Sequence, residues 1–206
     1  MAWDRTERRS TELRAPLPAG FRRPAQDERT QRAAPQIRLF DAETGFYTMP
    51  ALAEFIQYEI DGSAQTLRNE LYITPLCVAA IAVGLPLGVK DEMQHDRFLA
   101  AVSEAARGVT RVADRVAREG DRLIALLRRT MANNLRDCYA PRLTKYVEEA
   151  CAEWGKVTVS IGISSLVEHV AKSPEHMVRM AQRALDEALK TPGGAVVYDF
   201  RVMPLD

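Results

Sequence analysis

The stretch Arg111-Val-Ala-Asp114-Arg-Val-Ala-Arg-Glu-Gly120-Asp-Arg-Leu-Ile-Ala-Leu-Leu127 decides how this chain folds. Two short apolar runs, about Val109 to Ala117 and Arg122 to Arg128, flank a Gly-Asp pair. Gly-Asp is turn chemistry, so the runs are predicted to be the strands of a hairpin. An Arg-x-x-Asp, Arg111 to Asp114, lies just upstream of the turn. That spacing alone identifies nothing, because it recurs at Arg118/Asp121 and Arg183/Asp186. The place of the first copy, ahead of a hairpin between two apolar strands, sets it apart.

Outward from the hairpin, helical and strand patterns alternate. Leu52, Phe55, Ile56 and Ile60 mark one face of a helix over Met49 to Ile60, and Phe98, Leu99 and Val102 one over Asp96 to Arg107. Leu71 to Val83 is a nearly continuous apolar run, fit for a strand buried on both faces. Beyond the hairpin come a helical region around Asn133 to Trp154, a β-branched strand Val157 to Ile163, a helix Pro174 to Lys190 and a last strand Ala195 to Phe200. Pro141 should interrupt the long helical region or open a new helix there. Helices and strands alternating about one hairpin predict an α/β sandwich with a central mixed sheet, related to the ferredoxin-like split motif.

Composition bounds the function. At 206 residues with 47% hydrophobic content, residues 36–206 can form one domain with a real core. Residues 1–35 differ: they carry Pro16, Pro18, Pro24 and Pro35, many arginines and no lysine. Such a segment buries too little to offset its ordering entropy and is expected to be a disordered or partner-dependent tail. A net charge of zero gives no global pull toward nucleic acid or an anionic membrane. No run reaches the roughly 18 apolar residues of a membrane span, and the charged N-terminus lacks the apolar segment of a secretory signal. Cys77, Cys138 and Cys151 cannot all pair and lack CxxC spacing, which suits buried thiols in a reducing cytoplasm. Three scattered histidines leave a metal cluster without ligands.

From about residue 37 onward the chain resembles the GGDEF family of diguanylate cyclase domains. Asp41-Ala-Glu-Thr44-Gly45-Phe46 resembles the family's entry motif before its first helix. Val157-Thr-Val-Ser-Ile161-Gly162-Ile163 is close to verbatim for its strand Val-Thr-x-Ser-Ile-Gly-Ile. Met180-Ala181 through Ala188, then Gly194-Ala195-Val-Val-Tyr198, follow its last helix and strand. In that family a strand ends in Arg-x-x-Asp, and five residues later comes the Gly-Gly-Asp/Glu-Glu-Phe hairpin that names it. Here the turn is Glu119-Gly120-Asp121-Arg122-Leu123, without the glycine pair or the catalytic glutamate.

Against that pattern the catalytic positions are altered. Ala82 stands where the family's first long strand carries its Mg²⁺-binding aspartate, and Arg122 or Leu123 where the hairpin acid belongs. Phosphoryl transfer needs metal ions to neutralise the triphosphate and align the reacting oxygens. Leu189 replaces the family's phosphate-contacting lysine, with Lys190 beside it as a partial stand-in. Asp96 stands where the family pairs with the guanine edge, and equally well reads as the N-cap of its helix. The resemblance therefore implies a chain that has no catalytic residues, no metal and no cofactor.

The family's inhibitory site joins the Arg-x-x-Asp to a second arginine on the next helix. Arg111, Asp114 and Arg142 occupy those places, the last in Ala140-Pro141-Arg142-Leu143. An arginine fork pairs with a guanine O6/N7 edge or with phosphate oxygens and stacks on purines. An aspartate accepts from guanine N1 and N2. The plain alternatives are a solvated ion pair for Arg111 and Asp114, and an exposed helix-start residue for Arg142. The resemblance implies a cytoplasmic, non-catalytic cyclic di-GMP effector acting on an unidentified protein partner, and leaves open a homodimer on ligand binding. A nucleotide-independent docking module is the alternative; an active cyclase comes last.

Overall fold

A computed structural model describes residues 38–69, 74–169 and 173–205. They belong to the second of two units into which the chain divides, Ile37–Asp206. The tail expected over residues 1–35 lies outside the described residues, as do residues 71–73 of the first apolar run.

The entry motif is a closed turn. Asp41 Oδ1 accepts from the Thr44 backbone N–H at 2.9 Å and its hydroxyl at 2.7 Å. Gly45 takes φ 66°, a left-handed conformation cheap only for glycine. This turn feeds β1 (Tyr47–Thr48) and α1 (Met49–Asn69). Then follow β2 (Leu76–Gly84), α2 (Glu92–Val109), β3 (Arg115–Glu119) and β4 (Arg122–Arg128). A continuous helical rod comes next: α3 (Ala132–Asn134), a π-helical turn (Leu135–Tyr139) and α4 (Ala140–Ala150), with Pro141 in the first turn of α4. Beyond a 3₁₀ turn (Ala152–Trp154) lie β5 (Thr158–Ser165), α5 (Leu166–His169), α6 (Pro174–Ala188) and β6 (Ala195–Val197).

Among the described residues the strands form one mixed sheet, in the order β1-β3-β4-β2-β5-β6. β2 sits in the middle, antiparallel to both β4 and β5, while β1 and β6 join the edges in parallel. Period-two alternation sends Cys77, Ala79 and Ile81 to one face and Val78 and Ala80 to the other. The first face packs under α2 and α4 through Phe98, Val102, Leu143 and Val147. The second packs under α1 and α6 through Leu52, Ile56, Met177 and Leu185. The predicted α/β sandwich is thus a sheet between two helical layers. Among the described residues no helix is long and apolar enough to cross a membrane.

Gly162 explains why the β5 pattern needs a glycine. A Cβ built there would lie 2.0 Å from the Leu185 N and 2.1 Å from the Ala181 O, so the α6 backbone rests directly on the strand. Ser164 on the same strand donates its hydroxyl to the Met177 carbonyl at 2.8 Å.

Three expectations need correction. The first hairpin strand is Arg115–Glu119, because α2 runs on to Val109 and a loop occupies 110–114. The Arg-x-x-Asp therefore precedes β3 in that loop, rather than ending a strand. Asp96 does not cap its helix: Asp91 does, accepting from the Gln94 N–H at 2.8 Å while the Gln94 side chain accepts from the Lys90 N–H. Those two bonds start the helix at Glu92, four residues upstream of Asp96. The last strand is also shorter than Ala195 to Phe200, ending at Val197.

Candidate functional site

The loop after α2 is built by one buried carboxylate. Thr110 closes the helix, its hydroxyl donating to the Ala106 carbonyl at 2.6 Å. The Asp114 N–H then donates to the Arg111 carbonyl at 3.0 Å, and Asp114 Oδ2 accepts the Arg111 N–H at 3.2 Å. Asp114 Oδ1 accepts the Arg128 N–H at 3.0 Å. At 7% exposure, Asp114 is neither solvated nor ion-paired to the Arg111 side chain, unlike the arrangement its spacing suggested. It clamps two segments of backbone. Arg111 is exposed, and among the described residues nothing bonds its guanidinium.

The third side chain arrives from the helical rod. Arg142 on α4 donates an Nη2–H to the Val109 carbonyl at 3.1 Å, an unsatisfied end of α2. It is exposed but not idle. The π-helical turn ahead of it widens the helix where Asn134, Cys138 and Tyr139 face the same space. Tyr139 is buried, its hydroxyl 3.4 Å from that of Thr110. Burial pushes its phenol up, the Asp114 charge adds to that, and the Thr110 hydroxyl and Arg142 oppose it.

The structure thus brings Arg111, Asp114 and Arg142 together on one cavity of about 330 Å³. Val109, Leu127 and Tyr139 supply apolar wall, and Arg129, Asn134 and Cys138 line it as well. The sequence reading did not include those last three. Asn134, Cys138 and Arg142 recur every four residues, a legible helix face. A neighbouring cavity of about 250 Å³ shares Arg111 and Asp114. Its other guanidinium groups are committed: Arg107 to the Thr44 carbonyl, and Arg115 to those of Val112 and Asp114 at 2.7 and 2.8 Å.

The turn Glu119-Gly120-Asp121-Arg122-Leu123 lies at the other end of β4. Gly120 takes φ 60° and Asp121 does not share the positive sign, the pattern of a type II′ turn. Glu119 accepts from the Gln182 amide at 2.6 Å, and Arg122 lies 4.0 Å from Asp186. Leu123 is buried. A cavity of about 150 Å³ beside the turn is walled by Ile81, Val83, Phe98 and Leu123, with His95 and Asp121 as its polar members. Ala82 pairs with Arg122 on one side and Ser160 on the other. Mg²⁺ is held by carboxylate and other oxygen donors in an octahedron. The residues present do not fit it: Asp121 is the one carboxylate lining this cavity, and among the described residues no three His, Cys, Asp or Glu side chains gather around a common point. Lys190, which could have stood in for a phosphate contact, is paired with Glu187 at 2.5 Å.

No protein-family model and no curated protein matches this chain. Solved structures do. The GGDEF domain of DgcB from Caulobacter crescentus, in complex with c-di-GMP, superposes with a TM-score of 0.64 at 16% identity, over 78% of this chain and 95% of that one. The GGDEF domain of FimX from Pseudomonas aeruginosa gives 0.57 at 22% identity, over 77% and 98%. Diguanylate cyclase SiaD from the same organism, in complex with its activator SiaC, gives 0.60 at 20%, over 78% and 62%. The chain has the fold of a GGDEF domain. Within that fold the arginine cavity and the cavity beside the hairpin turn lie at opposite ends of β4.

Proposed function

We propose that this chain is a non-catalytic cyclic di-GMP effector, which binds the second messenger at Arg111, Asp114 and Arg142 and passes the signal to a protein partner. One observation carries the reading: a cavity of about 330 Å³ holds all three residues, and the Arg111 guanidinium on it is without a partner among the described residues. Apolar wall beside guanidinium groups suits a purine nucleotide, since the ring stacks while the forks bind its edge or phosphate. Solved neighbours bound to c-di-GMP, and one bound to an activator protein, support ligand and partner as classes. Cys77, Cys138 and Cys151 form no disulfide, which suits a reducing cytoplasm. The donor set at the hairpin supports the absence of cyclase chemistry.

Calorimetric titration of the full chain with cyclic di-GMP tests the reading. Low-micromolar or tighter binding is expected. Arg111→Ala should weaken it roughly 10- to 100-fold, as losing a charged hydrogen bond implies. Arg183→Ala, on the exposed side of α6, should leave it unchanged. GTP with Mg²⁺ or Mn²⁺ should yield no cyclic di-GMP. No binding by wild type, or equal losses for both variants, would leave the nucleotide-independent docking module in its place. Leu85, Leu87 and Met93, exposed apolar side chains between β2 and the first turn of α2, favour that second reading.

A further inference from the structure

We infer that Arg129 is a specificity-determining residue of this site, a third guanidinium that reads the second phosphate of a doubly charged ligand; the inference rests on the ligand reading above. Among the described residues Arg129 alone is a non-glycine with positive φ, at 52°. A side chain there strains the backbone, and glycine would relieve the strain without altering the path of the chain. Strain of this kind persists where a side chain is needed in place.

The side chain explains what the backbone tolerates. Alternation along β4 sends Leu123, Ala125 and Leu127 to the face under α2 and α4, and Arg129 continues that series into the cavity. Arg128, one step earlier, turns the other way and pairs with Glu59 at 2.8 Å. Arg129 is exposed and, among the described residues, makes no hydrogen bond or ion pair. A pairing partner inside the protein therefore does not account for its position.

Charge points to the ligand class. Arg111 and Arg142 against Asp114 leave a formal charge of +1 on the cavity wall (two less one), and Arg129 raises it to +2 (three less one). Both Asp114 oxygens already accept backbone N–H groups, so that carboxylate cannot fold away from its position. Each phosphodiester carries one negative charge. A cyclic dinucleotide, with two, matches the cavity that includes Arg129, whereas a single phosphodiester matches the cavity without it.

The test uses the full chain and Arg129→Gly, which keeps the left-handed backbone and deletes the guanidinium. Its Tm should equal or exceed that of wild type. Its Kd for cyclic di-GMP should rise roughly tenfold or more, with Arg129→Lys between the two because an ammonium keeps charge but loses the fork. Inorganic pyrophosphate is titrated in parallel, followed by the Arg129 Nε–H signal in NMR. Unchanged cyclic di-GMP affinity in Arg129→Gly overturns the Arg129 role and leaves the effector reading intact. Pyrophosphate moving the Arg129 signal, with no cyclic di-GMP binding to wild type, has the opposite meaning. If wild type binds neither, both are overturned.

Discussion

The backbone N–H of Arg128 donates to Asp114 Oδ1 across fourteen residues of sequence, tying the loop after α2 to the last residue of β4. Asp114 Oδ2 holds the Arg111 N–H, so a single carboxylate fixes the backbone on two sides of the cavity. Its removal strands two donors. Asp114→Ala should lower stability by roughly 2–4 kcal/mol, less than two charged hydrogen bonds at about 1.5–3 kcal/mol each because the Arg111 N–H lies on an exposed loop and can turn to water. In a domain of this size that is a Tm drop of about 4–16 °C. Arg111→Ala should leave Tm unchanged, because its side chain bonds nothing among the described residues. Equal melting of Asp114→Ala and wild type would remove the clamp from this account.

Gly162→Ala should cost about 3 kcal/mol or more, the upper range for overpacking, because the clash is with helix backbone and no rotamer can relieve it. Gly194→Ala is the control: a Cβ there meets nothing within 4 Å. Chemical denaturation compares them, and two equal midpoints would mean that α6 does not rest on β5 as described.

Cys138 is exposed and lines the arginine cavity proposed to take the ligand, whereas Cys77 and Cys151 are buried. Alkylation by a maleimide should therefore occur first at Cys138. Cyclic di-GMP at ten times its Kd should slow that reaction about tenfold, in proportion to the free fraction. Mass spectrometry of the modified peptide gives the rate, and a rate indifferent to ligand would place the ligand elsewhere.

Burial, with the Glu153 charge adding to it, pushes the Cys151 thiol from an ordinary 9.0 up to about 11. The unfolded chain thus loses this proton first. The contribution to stability is complete below about pH 9 and is lost as pH rises through about 11. Melting curves across that range should fall more steeply for wild type than for Cys151→Ala. Parallel curves would show that the thiol does not titrate with folding.

Much of the fold was legible because local chemistry and tertiary need coincide. Ser173 and Pro174 announce α6 as cap and first residue, and the helix starts there. Val157 to Ile163 overlaps β5, whose glycine is a packing requirement. The start of β3 was not legible: Val109 and Val112 look like strand residues, yet the first ends a helix and the second is fully in solvent. A long-range bond from Asp114 to Arg128 decides that segment, and local pattern cannot express it. Asp96 and Asp91 are equally plausible caps by type; Gln94 chooses between them by bonding back to Lys90. Lining one cavity, Arg111, Asp114 and Arg142 were picked out by their resemblance to the family pattern. Arg129 was not, since a left-handed φ on an arginine leaves no mark in composition or periodicity.

β4 spans seven residues, Arg122–Arg128, about 20 Å from end to end at the usual rise of an antiparallel strand. The hairpin turn lies at its first end and the arginine cavity at its last, with buried side chains packed along the length between. That distance makes the strand a spacer, and groups so far apart without shared partners respond to substitution independently. The turn can be rebuilt without retuning the arginines, and the arginines can be exchanged without disturbing the turn.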